Sequence, residues 1–168
     1  MEQGCTVNVP PYRRERAPLL NGPISEHARD LDDLLWDGRF DESDIGVSIN
    51  GTGLVLTVLV PDYGQAQETS RSRFGFRRTF KAPLYPHHVR FTEISGVSIR
   101  DESETYGHVI RSIDHDLTED ALMIDCAPSF TIVVRGAHGS VLVVRGSVFG
   151  FFEYKKFGFV QTESRRFR

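Results

Sequence analysis

The stretch IGVSINGTGLVLTVLV, residues 45–60, decides the fold class. Ile45, Val47 and Ile49 alternate with small or polar residues, the period of a strand with one buried face. Asn50-Gly51 follows and predicts a tight hairpin turn, because both central positions of such a turn need positive φ. Leu54 to Val60 is a denser apolar run rich in branched residues, and Pro61 ends it. That predicts a second, more buried strand.

Reading outward toward the C-terminus, period-two segments recur. Residues 62–73 are mostly polar and read as a loop. Phe74, Phe76, Arg78 and Phe80 alternate with Gly75, Arg77 and Thr79, which predicts a strand with an aromatic inner face. Pro83 and Pro86 then break the chain. Val89 and Phe91 start another strand, and Val97 and Ile99 continue it after Ser95-Gly96, a bulge or tight bend. Tyr106 to Ile113 pairs locally. Asp114 to Asp120 is a polar turn, and Ala121 to Cys126 is a strand. Phe130, Ile132 and Val134 alternate with Thr131, Val133 and Arg135. Gly136-Ala137-His138-Gly139 then reads as the turn of a hairpin that returns along Val141 to Val144. Val148 to Val160 carries six aromatic residues, with Gly150 and Gly158 as kinks.

Toward the N-terminus the pattern changes. Ala28, Leu31, Leu34 and Leu35 recur at helical spacing, Trp36 closes the stripe, Ser25 can cap it and Gly38 supplies a stop. A helix over 24–36 follows. Residues 1–23 hold Pro10, Pro11, Pro18 and Pro23 with Arg13, Arg14 and Arg16, and read as an extended or disordered extension. The sum is eight or nine short strands, one helix, and turn signals at intervals of roughly 8–12 residues. This predicts a mainly β chain: an antiparallel β-sandwich or strongly curved sheet with one N-terminal helix, forming a single domain over 24–168.

Composition agrees. The chain has 168 residues, of which 39% are hydrophobic and 26% charged, which argues against wholesale disorder and against a fibrous chain. No apolar run reaches membrane-spanning length, and residues 1–30 carry no pattern of a secretory signal. Cys5 reads as a mobile thiol and Cys126 as a buried small hydrophobe. Without a C-x-x-C pair, a reducing cytoplasm fits best.

Charge is segregated. The overall balance of −3 hides an acidic block at 26–44, including Asp32, Asp33, Asp37, Asp41, Glu42 and Asp44. A basic block at 71–100 holds Arg71, Arg73, Arg77, Arg78, Lys81, Arg90 and Arg100. A second acidic block at 101–125 includes Asp114, Asp116, Glu119 and Asp120, and the C-terminal segment is basic again. Either the blocks pair across the folded surface, or one acidic block faces a basic partner, where clustered charge steers association.

Candidate chemistry is sparse. In Asp114-His115-Asp116, neighbours on a strand point to opposite faces, so a solvated turn is the better reading than a metal site. His87-His88 reads as a loop. Nucleophile-elbow, zincin, P-loop and dinucleotide-binding patterns are not found, so no cofactor and no catalytic residue is expected. Basic and aromatic residues interleave at 74–78 and 152–157. Exposed, they would stack bases and hold phosphates; folded into a β core, the Phe rings would be buried and the cations solvated. The second reading is the expectation.

The order of segments resembles a known group. A D-L-D-D-L-L-W-D helix leads to D-E-S-D-I and Asn50-Gly51. Then come V-R-F-T-E-I-S-G-V-S-I, Y-G-H-V-I-R-S-I, A-L-M-I-D-C, and the T-I-V-V-R and V-L-V-V-R segments. Over roughly residues 28–146 this layout resembles the small β-rich immunity proteins of bacterial polymorphic toxin and contact-dependent inhibition systems. The resemblance implies a non-enzymatic inhibitor that binds a cognate toxin domain, often a nuclease with a basic substrate surface. Asp32, Asp33, Asp37, Asp41, Glu42 and Asp44 are the first candidate contacts, and Asp114, Asp116, Glu119 and Asp120 the second. Two alternatives stand beside it: a nucleic-acid-binding β domain using the basic-aromatic segments, and a metal-dependent enzyme at the 114–120 turn. No membrane contact is expected, and the sequence leaves the oligomeric state open.

Overall fold

The computed structural model describes residues 17–74, 76–103, 105–136, 138–157 and 160–163. The chain is mainly β with one α-helix. In order the elements are β1 (Leu20–Pro23), α1 (Ile24–Leu35), β2 (Arg39–Asp41), β3 (Ile45–Val47), β4 (Gly53–Pro61) and β5 (Gln67–Arg71). Then come β6 (Arg77–Thr92), β7 (Gly96–Asp101), β8 (Gly107–Asp116), β9 (Ala121–Ala127), β10 (Phe130–Arg135), β11 (Ser140–Arg145), β12 (Gly150–Phe157) and β13 (Val160–Glu163). No helix among the described residues is long and apolar enough to cross a membrane.

All strands belong to one open antiparallel sheet with the main order β1-β11-β6-β4-β2-β8-β9-β10-β7. Of the two predicted architectures, the strongly curved sheet is the one found. Two connections require the curvature. Residues 93–95 join β6 to β7, although β4, β2, β8, β9 and β10 lie between them. Residues 136–139 join β10 to β11 across a similar gap. Links this short can span so many strands only if the sheet folds back over itself. The two links also touch: the Ser95 amide donates to the Arg135 carbonyl at 2.9 Å. A Cβ on Gly139 would lie 2.6 Å from the Thr92 carbonyl oxygen, so this crossing has room only for glycine.

The expected hairpin of β10 with β11 is therefore not formed. β10 pairs with β9 and β7, while β11 pairs with β1 and β6. Two matched apolar runs joined by a glycine-rich segment look the same in sequence whether they pair or face each other.

Folding back brings Leu54, Leu56, Val89, Phe91, Val141 and Val143 of one half against Ile124, Ile132 and Val134 of the other. The α1 side chains Ile24, Leu31 and Leu35 are fully buried in the same core. Cys126 lies there too, and burial pushes its thiol up to about 12.

Several local expectations are corrected. The helix ends at Leu35, and Trp36 is 58% exposed, outside the apolar stripe. Pro23, not Ser25, occupies the N-cap, with no side-chain capping bond. Asp37 takes the left-handed conformation (φ 59°), while Gly38 serves close approach: a Cβ there would lie 2.4 Å from Val58. Asn50-Gly51 sits in a longer loop, closed by Ser48 N–H to the Gly53 carbonyl. Only Gly51 of the pair has positive φ, and the Asn50 side chain accepts from the Ser48 and Thr52 hydroxyls.

Strand β5 runs through the expected 62–73 loop, where an all-polar edge strand carries no apolar alternation to read. Asp114 to Asp116 belong to β8, which leaves a shorter turn, and His87-His88 lie within β6, not in a loop. The aromatic C-terminal run is two paired strands, β12 and β13, and Gly158 lies outside the described residues. The end of the N-terminal extension forms β1, which pairs with β11. Residues 1–16, with Cys5, Pro10, Pro11, Arg13, Arg14 and Arg16, lie outside the described residues.

Pro83 and Pro86 do not break the chain; β6 runs straight through them. They sit where its neighbours change. Arg77–Leu84 pairs with β12, and part of it with β5, whereas the rest pairs with β4 and β11. The buried face changes at the same level. His87, Val89 and Phe91 are buried on one face, but Ala82 and Leu84 are buried on the other. A small second core forms there from Ala82, Leu84, Phe152 and Tyr154, with Leu59, Tyr63 and Phe80 against it. Burial raises the Tyr154 hydroxyl pKa. The segment β5–β6–β12–β13 is thus a wing projecting from the main curl.

Candidate functional site

The acidic residues selected from the sequence do not form one surface. Asp32 is structural, since its Oδ1 accepts the Ile113 amide at 2.7 Å and ties α1 to β8. Asp37 is buried, accepts from the Tyr63 hydroxyl, and lies 3.7 Å from the Arg39 guanidinium. Asp33 is exposed on α1. Asp41 and Asp44 close the 3-10 turn over Glu42–Asp44 by reciprocal capping bonds. At the β8–β9 turn, Asp116 accepts from the Thr118 and Glu119 amides, and Asp120 lies 3.3 Å from His138. Asp114 and Glu119 are exposed.

Asp41 pairs with Gly107 at one end of β8, while Asp116 closes the other. At about 3.3 Å per residue, roughly 30 Å separates them. Asp41, Glu42 and Asp44 are therefore remote from Asp114, Asp116, Glu119 and Asp120. Nor do the blocks neutralise one another: Arg73, Arg78, Lys81, Arg90 and Arg100 make no ion pair among the described residues.

The wing carries the opposite character. Its aromatic rings do not all fill a core, contrary to expectation. Phe74 and Phe76 are 80% and 73% exposed in the β5–β6 turn, and Phe149, Phe151 and Phe157 are exposed along β12 and its approach. Strand alternation explains the division. Phe80, Ala82, Phe152 and Tyr154 point to the small core, so Lys81, Pro83 and Phe151 point the other way.

That other face continues the inner face of the main curl; Thr79 and Pro83 are buried on it, while Lys81 and Phe151 are exposed. It forms a shallow groove of about 400 Å³ lined by Gln65, Gln67, Thr69, Lys81, Pro83, Tyr85, Val148 and Phe151. Arg77 shares this face, whereas Arg78 and Lys156 point to the opposite one; all three are exposed. The Arg77 guanidinium lies 5.6 Å from the Phe157 ring centre, and Lys156 lies 5.3 Å from that of Phe80. Arg71 grips Glu68 through two hydrogen bonds, which hold that carboxyl below its ordinary pKa.

A different grouping lies at the Asp41 end of β8. His108 is 1% exposed and stacks on Phe130 at 3.9 Å between ring centres, with Phe40 at 5.5 Å. Its potential ligand nitrogen and the carboxylate oxygens of Glu42 and Asp101 all lie within 4.8 Å of one another. Asp101 Oδ1 accepts from the Ser103 amide and hydroxyl, at 2.9 and 2.6 Å. Those bonds hold the Asp101 carboxyl below its ordinary pKa, with smaller contributions from Glu42 and His108.

No protein-family model, curated protein or solved structure matches the chain in comparison. The functional reading therefore rests on these surfaces.

The sequence offered the basic-aromatic segments only as an alternative, and it did not bring Glu42, Asp101 and His108 together. The exposed Phe residues alternate like core residues, and only the pairing of β6 with β5 and β12 decides which face is covered. Glu42, Asp101 and His108 come from three separate elements and share no spacing. The 114–120 turn, by contrast, has an obvious spacing, but its acids act on the local backbone.

Proposed function

We propose that the protein is a non-catalytic binding protein that holds single-stranded nucleic acid across the wing. The observation that carries this reading is the exposure of Phe151 and Phe157 on the face that carries Arg77 and Lys81, with exposed Phe76 next to Arg77 in the chain; neither cation makes an ion pair among the described residues. Large exposed aromatics leave apolar surface in water, and covering it is favourable. Unpaired cations among such rings, with Arg77 over Phe157, select a partner that presents both flat apolar faces and negative charge. Bases on a phosphate backbone do both, and stacking on an exposed aromatic ring contributes about 1–3 kcal/mol per base.

The test is fluorescence anisotropy with labelled 20-mers of oligo(U) and oligo(dT). Binding is expected at low salt and should weaken steeply as salt rises. The triple variant Phe76→Ala, Phe151→Ala, Phe157→Ala should lose roughly a hundredfold or more in affinity while keeping its fold. No binding at low salt, or equal binding by the triple variant, would overturn the reading.

A second reading, inhibition of a basic toxin domain as implied by the resemblance to immunity proteins, is favoured by one observation. Exposed carboxylates of Asp41, Glu42 and Asp101 gather at the end of β8. Charge reversal at Asp41 and Glu42 should then abolish capture of a cognate toxin and leave oligonucleotide binding untouched. Capture unchanged by the reversal would remove this surface from consideration.

A further inference from the structure

We propose that Glu42, Asp101 and His108 form a binding site for one divalent first-row transition-metal ion, with Zn²⁺ the natural probe. The three side chains come from the 3-10 turn, the end of β7 and the start of β8. Sheet pairing brings them together: His108 sits opposite Phe40 on β2, and Asp101 opposite Phe130 on β10, whose ring stacks on His108.

The buried imidazole points to a ligand. Both ring nitrogens of His108 are buried, and neither has a hydrogen-bond partner among the described residues. Imidazole nitrogens removed from water normally find a partner, because otherwise their hydration is lost without return. Stacking on Phe130 and Phe40 fixes the ring plane but satisfies neither nitrogen. The imidazole stands with two carboxyl groups, the three ligand atoms lying within 4.8 Å of one another. Adjacent carboxylates repel unless a cation or a shared proton lies between them.

The donor set defines the class of ion. One imidazole nitrogen with two carboxylates suits zinc and its neighbours, whereas calcium and magnesium prefer oxygen alone. Ligand atoms around zinc stand roughly 3.3–3.6 Å apart, given metal–ligand distances of about 2.0–2.2 Å. The observed limit of 4.8 Å needs only a small closing movement. Glu42 and Asp101 are exposed and can make it, while buried His108 provides the fixed point. The Asp101 oxygen not named in the Ser103 bonds, Oδ2, remains to bind the ion, and the Ser103 contacts orient the carboxylate as outer-shell partners do. The site is independent of the wing and of its proposed ligand.

The test uses the full chain, dialysed against a chelator and titrated with ZnCl₂ by calorimetry, with a thermal melt in parallel. The expected result is saturable uptake of one zinc per chain that is absent from the Glu42→Gln, Asp101→Asn double variant. At a hundredfold excess over the dissociation constant, zinc should raise the melting temperature of the unmodified protein by roughly 5–10 °C. It should not do so for the double variant. These substitutions keep an oxygen acceptor at each position, so the fold should survive. His108→Phe, which preserves the stack, should lose the uptake as well. Equal zinc uptake by the double variant would place the ion elsewhere and overturn the proposal, as would no one-to-one uptake by the unmodified protein. Uptake of Ca²⁺ without Zn²⁺ would overturn the class of ion.

Discussion

The two halves of β6 obey the same alternation and end in opposite situations. In the C-terminal half, His87, Val89 and Phe91 are buried, and Val89 and Phe91 share the main core with α1 and the other half of the sheet. In the N-terminal half, the same face carries Lys81 and Pro83 and forms an open groove, while Ala82 and Leu84 are buried behind it. An alternating strand pattern therefore states that two faces differ but not which one is covered. The cover is decided by what packs against each face, and it is continuous over His87, Val89 and Phe91 but broken at exposed Lys81.

The sharpest way to break this contrast is to truncate one aromatic ring in each half. Phe91→Ala should destabilise the protein by about 3–5 kcal/mol, because the ring is 1% exposed and its cavity cannot collapse between packed strands. Phe151→Ala should change stability by about 0.5 kcal/mol or less, because the ring is 56% exposed and leaves no cavity. Urea unfolding of both variants measures the difference. Comparable losses would mean that the wing face is covered and that its groove is part of a core.

This contrast also marks how much could be read in advance. The mainly β class, the single early helix (expected over 24–36, found over 24–35), the buried β4 and the polar turn before β9 all follow from local periodicity and turn chemistry. Strand partners do not. Thr131 to Arg135 and Val141 to Arg145 look like a hairpin, yet lie in opposite halves of the curl because Gly136 and Gly139 pack against the β6–β7 link. β5 was invisible because an exposed edge strand needs no apolar residue. The acidic candidates were legible as charge but not as roles. Asp32 and Asp37 hold the fold, and of the first block only Glu42 joins the cluster around His108.

A smaller effect separates the crossing links from the wing. Gly139→Ala places a methyl group against the Thr92 and Glu93 carbonyl oxygens, at 2.6 and 2.9 Å. These are backbone atoms of the second crossing link, so the links must separate, which should cost about 1–3 kcal/mol. Gly150→Ala at the start of β12 meets nothing within 4 Å and should be neutral to within about 0.5 kcal/mol. Thermal melts of the two variants test whether the back-to-back links are what close the curl. A neutral Gly139→Ala would show that they are not.

The smallest expected effect is a pH dependence confined to the main curl. His87 is the first inward residue of β6 beyond the two prolines and is 4% exposed. Burial lowers its pKa from the ordinary 6.5; the hydrogen bond to the Tyr85 carbonyl opposes this, and the charges of Arg145 and His88 add to it. A base with a lowered pKa stays neutral in the folded chain while the unfolded chain takes up its proton. Its contribution to stability is therefore constant well above pH 6.5 and falls as the pH drops through that value. His87→Leu should flatten the part of the stability profile between about pH 7 and 5.5 that arises from this residue. The wing segments 62–81 and 147–163 contain no histidine, so Phe151→Ala should keep the unmodified slope. Denaturant midpoints at several pH values read both. An unchanged slope in His87→Leu would assign the acid sensitivity to another group and remove His87 from the account of what the covered half of β6 costs to bury.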